Sequence, residues 1–491
     1  MRIVLLNPPS EYTVAEYADR SDQAERGAVE VEDFGLFPPL GLLYILASLR
    51  QKAPGHDVFF LDCVAEHVGH ADLAARIADF NPDVVGITSF TMALYDVCLA
   101  ARTVRSVCPR AHICLGGHHP IAFPFEAAEL PEFDSIVVGE GEDAFPALVQ
   151  AVQDGTDFTL ITGVYTKESI QRYRQHPTKD PRFLTSVMVP PAYIETIDLL
   201  PPPARSVISH LKYRSIVGVS DRLATMISSR GCPCHCTYCD VPFKRYRQRS
   251  LSSVADEIGI CLDSGYTEVH FYDDLFNITP ERVIAFCDEI IRRGYRFQWD
   301  FRGRVNSVTR ESLQRAKEAG CRMISFGVET GSDEGLQLLR KDTTTEQIRK
   351  VFRWCRELGI LTIADFMIGL PFERSADDVR RNVDFLLEID PDYAQFSILS
   401  LFPNTEMFAD AARRGLIEPA RWNEFARQPA SGFYVDHWEE FISLSDLLSL
   451  QKESYRRFYL RPRYIWRSLI ATCSWHEFTS KLQGALKLFG H

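Results

Sequence analysis

Four cysteines lie close together near the middle of the chain, at Cys232, Cys234, Cys236 and Cys239. Cys232, Cys236 and Cys239 have the spacing C-x3-C-x2-C. Three thiolates at this spacing can hold three irons of a cubane iron–sulfur cluster and leave the fourth iron open to another molecule. A closed structural zinc site would need a fourth protein ligand, which Cys234 or His235 would have to supply. The spacing therefore favours an iron–sulfur cluster on three cysteines, with Cys234 excluded as a ligand.

The composition is that of an ordinary folded protein. Of the 491 residues, 46% are hydrophobic and 24% are charged, which excludes a mainly disordered chain. The net charge of −12 makes non-specific nucleic-acid binding unexpected. The apolar start of the chain ends at Pro8, and the apolar stretch 36–49 is too short to cross a bilayer, so neither a signal peptide nor a membrane span is predicted. We expect a cytoplasmic protein.

Residues 1–150 alternate short apolar runs with helical patterns, which is typical of a doubly wound parallel sheet. The predicted strands are 2–7, 57–62, 84–88, 112–115 and 135–138, and the predicted helices are 40–51, 71–80, 93–107 and 144–153. Ligands of such domains bind beyond the carboxyl ends of the strands. The loops at that edge contain the candidate cofactor-binding residues Thr88, Ser89, Gly116, Gly117, His118, Gly139, Glu140 and Gly141. This segment is predicted to be a Rossmann-like cofactor-binding domain.

A second alternation of strands and helices fills residues 216–405, after a less periodic connector at 151–215. Its predicted strands are 223–229, 268–273, 298–302, 323–328, 363–368 and 393–401. Six strand–helix units predict a partial barrel, whose chemistry gathers at the carboxyl ends of the strands. Residues 406–491 are predicted to be mainly helical. The fold class is therefore α/β, in two domains followed by a helical region.

Polar side chains and glycines follow the barrel strands at that same edge. They are Asp273 and Asp274 after the second strand, Arg304 after the third, Glu329 and Ser332 after the fourth, and Gly369 and Pro371 after the fifth. Carboxylates suit hydroxyl and ammonium groups, arginine suits a carboxylate, and glycine permits close backbone approach. Each of these segments alone is more often a solvated loop or a helix cap. Their common position on one rim predicts a binding site.

The cysteine loop resembles the signature of the radical S-adenosylmethionine (SAM) superfamily, with Arg230 and Gly231 before the first cysteine and Tyr238 ahead of the third. The resemblance implies that Cys232, Cys236 and Cys239 ligate a [4Fe–4S] cluster. It also implies that SAM binds the open iron and is cleaved to methionine and a 5'-deoxyadenosyl radical. Tyr238 is expected near the adenine, and the polar groups of the barrel rim are expected to contact SAM.

An α/β domain ahead of such a barrel is similar to the cobalamin-binding class of this superfamily, whose members include radical SAM methyltransferases of class B. The resemblance implies that methylcobalamin donates a methyl group to an unactivated carbon of a small molecule, and that a flavodoxin or ferredoxin supplies single electrons. The pattern D-x-H-x-x-G, which presents a histidine to cobalt, is missing, because Asp62 and His67 are five residues apart. We therefore expect base-off cobalamin without a histidine lower ligand, and interpret His118 and His119 as hydrogen-bonding residues.

Three other functions compete with methyl transfer. The same cofactors could run an oxidative cyclisation or a rearrangement, as in the anaerobic cyclase of the chlorophyll pathway. A methylthiotransferase would need three further cluster cysteines in the first domain, whereas Cys63, Cys98, Cys108 and Cys114 fall mostly in strand or helix patterns typical of buried cysteines. A cobalamin-binding sensor without chemistry is the non-enzymatic alternative, and the intact cysteine triad argues against it.

The segment 451–470 combines basic and aromatic residues. Its basic residues are Lys452, Arg456, Arg457, Arg461, Arg463 and Arg467, against the single acid Glu453. Such a mixture could dock peripherally on an anionic membrane or cap an active site against a large substrate. A terminal helix that packs its aromatic side chains on the barrel has the same pattern. The substrate is expected to be a natural product, a lipid-like molecule or a tetrapyrrole.

Overall fold

The computed structural model describes residues 1–12, 14, 35–178, 180, 182, 188–215, 217–218, 220 and 222–471. The strands of its two large sheets are β1 (Arg2–Asn7), β2 (Asp57–Asp62), β3 (Val84–Ser89), β4 (His112–Gly117), β5 (Ser135–Val137), β6 (Val164–Tyr165), β7 (Leu223–Met226), β8 (Glu268–Phe271), β9 (Gln298–Gly303), β10 (Cys321–Glu329), β11 (Leu361–Ile368) and β12 (Tyr393–Ile398). The helices are α1 (Leu40–Lys52), α2 (His70–Phe80), α3 (Leu94–Val107), α4 (His118–Ala122), α5 (Pro124–Glu129), α6 (Gly141–Asp154), α7 (Lys167–Gln175), α8 (Leu251–Asp263), α9 (Pro280–Arg292), α10 (Arg310–Glu318), α11 (Asp333–Leu338), α12 (Thr345–Leu358), α13 (Ala376–Ile389), α14 (Glu406–Arg413), α15 (Ala420–Arg427), α16 (Leu444–Tyr459) and α17 (Pro462–Ala471).

The first sheet has the strand order β2-β1-β3-β4-β5-β6, and all strands except β6 are parallel. β1 is central, and its residues 3–6 are buried on both faces. Helices α1 and α6 pack on one face, and α2 and α3 on the other. The strand order reverses between β1 and β3, so the carboxyl ends of these strands border the crevice where doubly wound sheets bind ligands. The predicted Rossmann-like architecture is confirmed.

The second sheet is parallel throughout, in the order β12-β11-β10-β9-β8-β7. β7 and β12 are edge strands that do not pair with each other, so the barrel is open along one side. Helices α8 to α13 cover its outer face. All six helices begin at a serine or threonine whose hydroxyl accepts an amide hydrogen bond from the first turn, namely Ser250, Thr279, Thr309, Ser332, Thr344 and Ser375. The predicted partial barrel is also confirmed.

Helix α16 covers the edge strand β12. The Tyr459 hydroxyl accepts a hydrogen bond from Ala394 N (3.1 Å) and donates one to Ala394 O (2.9 Å). The Tyr455 hydroxyl accepts a bond from Phe396 N (3.2 Å). The arginines of the segment form ion pairs with barrel acids, as Arg457 does with Asp384. This part of the segment 451–470 therefore packs on the barrel.

The helical character predicted after residue 406 holds for the described part of that region, and residues 472–491 lie outside the described residues. Within the described part of the chain, no helix combines the length and the apolar character that a membrane span requires.

Two differences from the predicted elements affect the site. The first barrel strand ends at Met226, and Ser229–Arg230 forms a separate antiparallel pair with Arg247–Gln248. The first sheet continues to Tyr165, beyond position 150, because the short strand Val164–Tyr165 pairs with β5. The exact domain boundaries, 1–150, 151–215, 216–405 and 406–491, stay a prediction.

Candidate active site between the two sheets

The four cysteines lie on a loop closed like a hairpin by the pair Ser229–Arg230 and Arg247–Gln248. We call residues 229–248 the cysteine hairpin. Gly231 has a φ of +86°, and a Cβ there would lie 2.5 Å from Arg245 O. Only glycine fits this turn. All four thiols are half-buried and free of disulfides.

The surroundings act on the cysteines in two directions. The hydrogen bond to Cys234 raises the pKa of Cys232, and burial raises that of Cys239 to about 11, whereas two cationic side chains lie beside the loop. The guanidinium of Arg304 donates to Cys236 Sγ (3.2 Å), and Lys341 also acts on the thiols electrostatically. Positive charge close to a thiol favours its thiolate form. Among the described residues, no three His, Cys, Asp or Glu side chains converge on a single ion. A cubane cluster spreads its thiolates over separate irons, so this loop fits a cluster better than a mononuclear site.

Cys234 lies beside Cys232. A hydrogen bond from the Cys232 thiol lowers the pKa of Cys234 to about 6. The structure therefore brings Cys234 together with the predicted ligands, and only the spacing of the sequence separates it from them.

Asp273 and Asp274 follow β8 and hold the start of the cysteine hairpin. The Asp273 carboxylate accepts bonds from Ser228 N (2.7 Å), Ser228 Oγ (2.5 Å) and Ser229 Oγ (2.6 Å). Asp274 Oδ2 accepts a bond from Gly231 N (2.9 Å). Burial raises the pKa of Asp273 above its ordinary value, and the serine hydrogen bonds oppose this rise. Both oxygens of Asp273 thus bind protein groups, and its contact with a cofactor stays a prediction.

Tyr238, Glu329 and Lys341 form a buried polar group beside the cysteines. The Tyr238 hydroxyl donates to Glu329 Oε1 (2.8 Å), and Lys341 Nζ donates to the same oxygen (2.9 Å). Glu329 adopts a φ of +66° at the end of β10, which turns the chain out of the strand. Sequence reasoning missed Lys341, because it follows α11 rather than a strand.

The remaining barrel candidates support their own loops. The Ser332 hydroxyl caps α11 by accepting from Gly335 N (3.2 Å). Gly369 has a φ of +75°, and its N–H donates to Glu373 Oε2 (2.7 Å). Pro371 lies two residues further on and is half-buried. Burial raises the pKa of Glu373 to about 7. Gly369 is buried and Pro371 is half-buried, whereas the Ser332 hydroxyl is already used as a cap.

In the first domain, the loops after β3 and β4 meet. Ser89 Oγ, one residue after Thr88, donates to Gly116 O (2.6 Å). A Cβ on Gly117, whose φ is +93°, would lie 2.4 Å from Ser89 O. Glycine at position 117 is therefore required for the two loops to approach.

Beyond this contact lies an exposed aromatic surface. Phe90 is 58% exposed and stacks on His118 with ring centroids 5.0 Å apart and planes 15° apart. Asp240 and Asp274 of the barrel act electrostatically on His118. The cofactor-binding edge of the first domain thus faces the cysteine hairpin. A flat, exposed ring pair at the strand ends fits a large planar ligand.

His119 points the other way, into the core. Its Nδ1 lies 3.1 Å from Thr91 Oγ1, its ring stacks on Phe123, and its Nε2 is buried without a partner among the described residues. Burial lowers the pKa of His119 to about 3. It is a neutral core side chain.

The glycines of the loop 139–141 lie against neighbouring parts of the protein, and their contact with a cofactor stays a prediction. A Cβ on Gly139 would lie 2.2 Å from Ala192 O, and one on Gly141 would lie 3.0 Å from Ile45 Cδ1. These glycines therefore accommodate the protein's own chain.

Glu140 bridges the two domains. It forms buried ion pairs with Arg230 (2.7 Å) and Arg247 (2.7 Å), and it accepts a bond from Ile194 N (2.6 Å). Both of its carboxylate oxygens are satisfied by these protein groups. Glu140 therefore holds the base of the cysteine hairpin, and its contact with a cofactor stays a prediction.

Comparison with known proteins agrees with this geometry. Residues 31–149 match the B12 binding domain, and residues 226–386 match the radical SAM superfamily. The chain is 28% identical to the uncharacterized methyltransferase PH0819 of Pyrococcus horikoshii, over 100% of this chain and 99% of that protein. It is 26% identical to the anaerobic magnesium-protoporphyrin IX monomethyl ester cyclase of Rubrivivax gelatinosus, over 88% of this chain and 75% of that protein.

Among solved structures, the fold is similar to that of the radical SAM methyltransferase TsrM from Kitasatospora setae with tryptophan and a SAM analogue bound. The TM-score is 0.63 at 22% identity, and the match covers 84% of this chain and 76% of that one.

Proposed function

Because this chain belongs to the B12-binding branch of the radical SAM superfamily, we propose that it is a cobalamin-dependent radical SAM methyltransferase. Its substrate is a small molecule with an unactivated carbon. One observation carries the proposal. The exposed ring pair Phe90 and His118, at the edge of the first sheet, faces the hairpin that contains the cysteines. Methyl transfer to a carbon radical requires near-contact of the reacting groups, which this arrangement permits.

When bound, the cluster and SAM supply a 5'-deoxyadenosyl radical, and cobalamin supplies the methyl group. The protein holds these groups, orients them and excludes water. Cys232, Cys236 and Cys239 are the proposed cluster ligands. Arg304 and Lys341 contribute positive charge beside the thiols, which stabilises their ionised form.

The proposed SAM contacts lie on the barrel rim. Tyr238 is held by Glu329 through a hydrogen bond of 2.8 Å, which would fix the phenol ring beside an adenine. Gly369 and Pro371, in the loop after β11, are further proposed SAM contacts. The proposal assigns a supporting role to three residues that hold loops of the rim, namely Asp273, Asp274 and Ser332.

The proposed cobalamin contacts are Thr88, Ser89, Gly116, Gly117 and His118. The close approach at Gly117 keeps the edge of the sheet free of side chains, and the ring of His118 offers a flat surface beside Phe90. His119 is turned into the core, which supports the expectation that cobalt receives no histidine from the lower side. A flavodoxin or ferredoxin remains the proposed electron donor.

The relationship to the magnesium-protoporphyrin cyclase favours a second candidate, a cyclisation that uses the same cofactors without methyl transfer. The two functions differ in their SAM products. Methyl transfer consumes one SAM for the radical and one for the methyl group, whereas cyclisation needs no methyl donor.

The test is to reconstitute the chain anaerobically with iron, sulfide and cobalamin, and to measure both SAM products with a cell extract as substrate source. We expect 5'-deoxyadenosine and S-adenosylhomocysteine together, and S-adenosylhomocysteine only when cobalamin is present. Formation of 5'-deoxyadenosine alone would favour cyclisation. Absence of both would indicate a binding module without chemistry.

A further inference from the structure

The inner face of the barrel is lined by polar side chains. In β8, Val269 and Phe271 pack against the outer helices, so the alternating residues His270 and Tyr272 face the barrel interior. The same alternation in β9 places Trp299 and Phe301 outside. Asp300 and Arg302 therefore face inward.

The strand register brings these inward residues together. His270 is level with Thr225 on β7 and Asp300 on β9. Arg302 is level with Ser325 on β10. Asp365 on β11 stands one step further along, level with Gly327 and Gln395. Six neighbouring strands, β7 to β12, thus present hydroxyl, imidazole, carboxylate, guanidinium and amide groups to one interior space.

Two contacts connect side chains inside this space. His270 Nδ1 lies beside Asp300 Oδ1, and Ser325 Oγ donates to Asp365 Oδ2 (2.8 Å). Phe37, from the segment before α1, covers this end of the interior by contacting His270 with ring centroids 5.6 Å apart.

Arg302 and Asp365 retain unused hydrogen-bonding capacity. Arg302 is exposed to the interior space, and its guanidinium makes no hydrogen bond or ion pair with any described residue. Asp365 Oδ1 is shielded from solvent and has no partner within the same part of the chain. Polar atoms in such positions almost always have partners. Arg302 is close enough to act electrostatically on both Asp365 and Tyr272.

The position of these groups matches a substrate site. The charges of Glu329 and Lys341 also act on Asp365. Both of these residues lie beside Tyr238 and the cysteines. The two unsatisfied groups are therefore next to the proposed SAM contacts. Arg304, in contrast, already donates to Cys236.

We propose that Arg302 and Asp365 form the substrate-specificity site of the barrel, and that the substrate carries an anionic oxygen group, a carboxylate or a phosphate ester, which binds Arg302. A hydrogen-bond donor of the same molecule binds Asp365. This inference rests on the proposed function, since it names the substrate class for the same active site. A guanidinium binds carboxylates and phosphates through two parallel hydrogen bonds. A purely hydrocarbon substrate would cover both groups without satisfying either, which is unfavourable.

The test measures anion binding to the reconstituted full chain by fluorine NMR line broadening. The probes are 4-fluorobenzoate, 4-fluorophenyl phosphate and the neutral 4-fluorobenzamide. The variant is Arg302→Gln, and the matched control is Arg296→Gln, because Arg296 is an exposed arginine just before the opposite end of β9. Arg302 has no hydrogen-bond or ion-pair partner among the described residues, so both variants should unfold close to the temperature of the wild type.

We expect at least one anionic probe to be broadened by the wild type and by Arg296→Gln, with about tenfold weaker binding to Arg302→Gln. The anion that binds more tightly identifies the carboxylate or the phosphate class. Equal binding of the neutral probe, or anion binding unchanged in Arg302→Gln, would overturn the proposal.

A second measurement separates substrate from SAM. Arg302→Gln should retain reductive SAM cleavage and lose product formation. If it loses SAM cleavage and still binds the probes like the wild type, Arg302 belongs to the SAM site and the proposal is wrong. Probe binding in the NMR experiment does not require methyl transfer. The anion site can therefore be confirmed even if the proposed methyl transfer fails its own test.

Discussion

Carboxylates from both domains hold the cysteine hairpin in place. Asp273 and Asp274 bind the backbone and hydroxyls of residues 228–231, and Glu140 binds Arg230 and Arg247. The position of the cysteines therefore depends on carboxylates that lie outside the hairpin itself.

The cluster ligands are tested by single substitutions. Cys232→Ala, Cys236→Ala and Cys239→Ala should each lose most iron and all reductive SAM cleavage, because each removes one of three ligands. Cys234→Ala should retain both and serves as the matched control on the same loop. Iron content and 5'-deoxyadenosine are the measurements. Equal loss of iron from Cys234→Ala and Cys232→Ala would refute the assignment of the triad.

His119 should make stability depend on pH on the acid side. Its folded pKa of about 3 lies below its unfolded value of about 6.5, so below pH 6.5 the unfolded chain binds a proton that the folded chain does not. The free energy of unfolding should therefore fall by about 1 kcal/mol between pH 7 and pH 5.5 through this residue. Denaturant unfolding of His119→Gln should show a pH dependence smaller by that amount. An identical pH dependence in the variant would show that His119 is solvated.

Sequence spacing predicts the cysteine triad because ligand spacing is local. The partners of Asp273 and Glu140 could not be predicted, because an acid after a strand looks the same whether it binds a cofactor or a neighbouring loop. For Glu140 the partners are about 90 and 107 residues away. Lys341 was missed for a related reason, since only the fold brings it to Glu329.

At the scale of elements, the base of the cysteine hairpin depends on Glu140. Glu140→Gln would leave Arg247 without its buried counter-charge and Arg230 with Glu142 as its remaining one, and loss of a buried ion-pair partner costs about 3–5 kcal/mol. We expect a lower free energy of unfolding and a lower iron content after reconstitution. Chemical denaturation and iron analysis measure these effects.

The matched control is Glu195→Gln. Glu195 pairs with Arg245 of the same hairpin (3.0 Å), but both side chains are more than half exposed. Removal of an exposed pair should cost no more than about 1 kcal/mol. If the two variants were equally stable, the buried pair would not be holding the hairpin.

A second prediction at this scale concerns helix α16, which covers strand β12. Tyr459→Phe removes the hydroxyl that bonds both Ala394 N and Ala394 O, so it should lower the free energy of unfolding by about 1–3 kcal/mol. Trp466→Phe, at a 68% exposed position, should have a much smaller effect. Thermal unfolding of both variants tests this packing. A larger loss of stability in Trp466→Phe than in Tyr459→Phe would mean that the Tyr459 hydrogen bonds do not hold helix α16 on the barrel.

Long strands were predictable because buried parallel strands are continuous apolar runs, as in β1 and β2, whose bounds agree with the prediction. Short elements were not. The strand Val164–Tyr165 and the pair Ser229–Arg230 are two residues long, too short to show a period. Their existence depends on the partner strands that the fold brings to them.

At the scale of the whole molecule, the carboxyl ends of two parallel sheets face each other. The first sheet brings Phe90 and His118 to this interface, and the barrel brings the cysteine hairpin. Parallel sheets gather their loops at one edge, so a two-domain arrangement of this kind can hold two cofactors and a substrate together. The order of strands and helices made this architecture predictable from the sequence.

The most direct test of the central claim is the transfer of a labelled methyl group. The anaerobically reconstituted chain is incubated with methyl-deuterated SAM, a reductant and an extract of the producing cell, with Cys236→Ala as the inactive control. We predict a product that contains the deuterated methyl group and is absent with Cys236→Ala. A product that is altered in mass but unlabelled, and that depends on Cys236, would contradict methyl transfer.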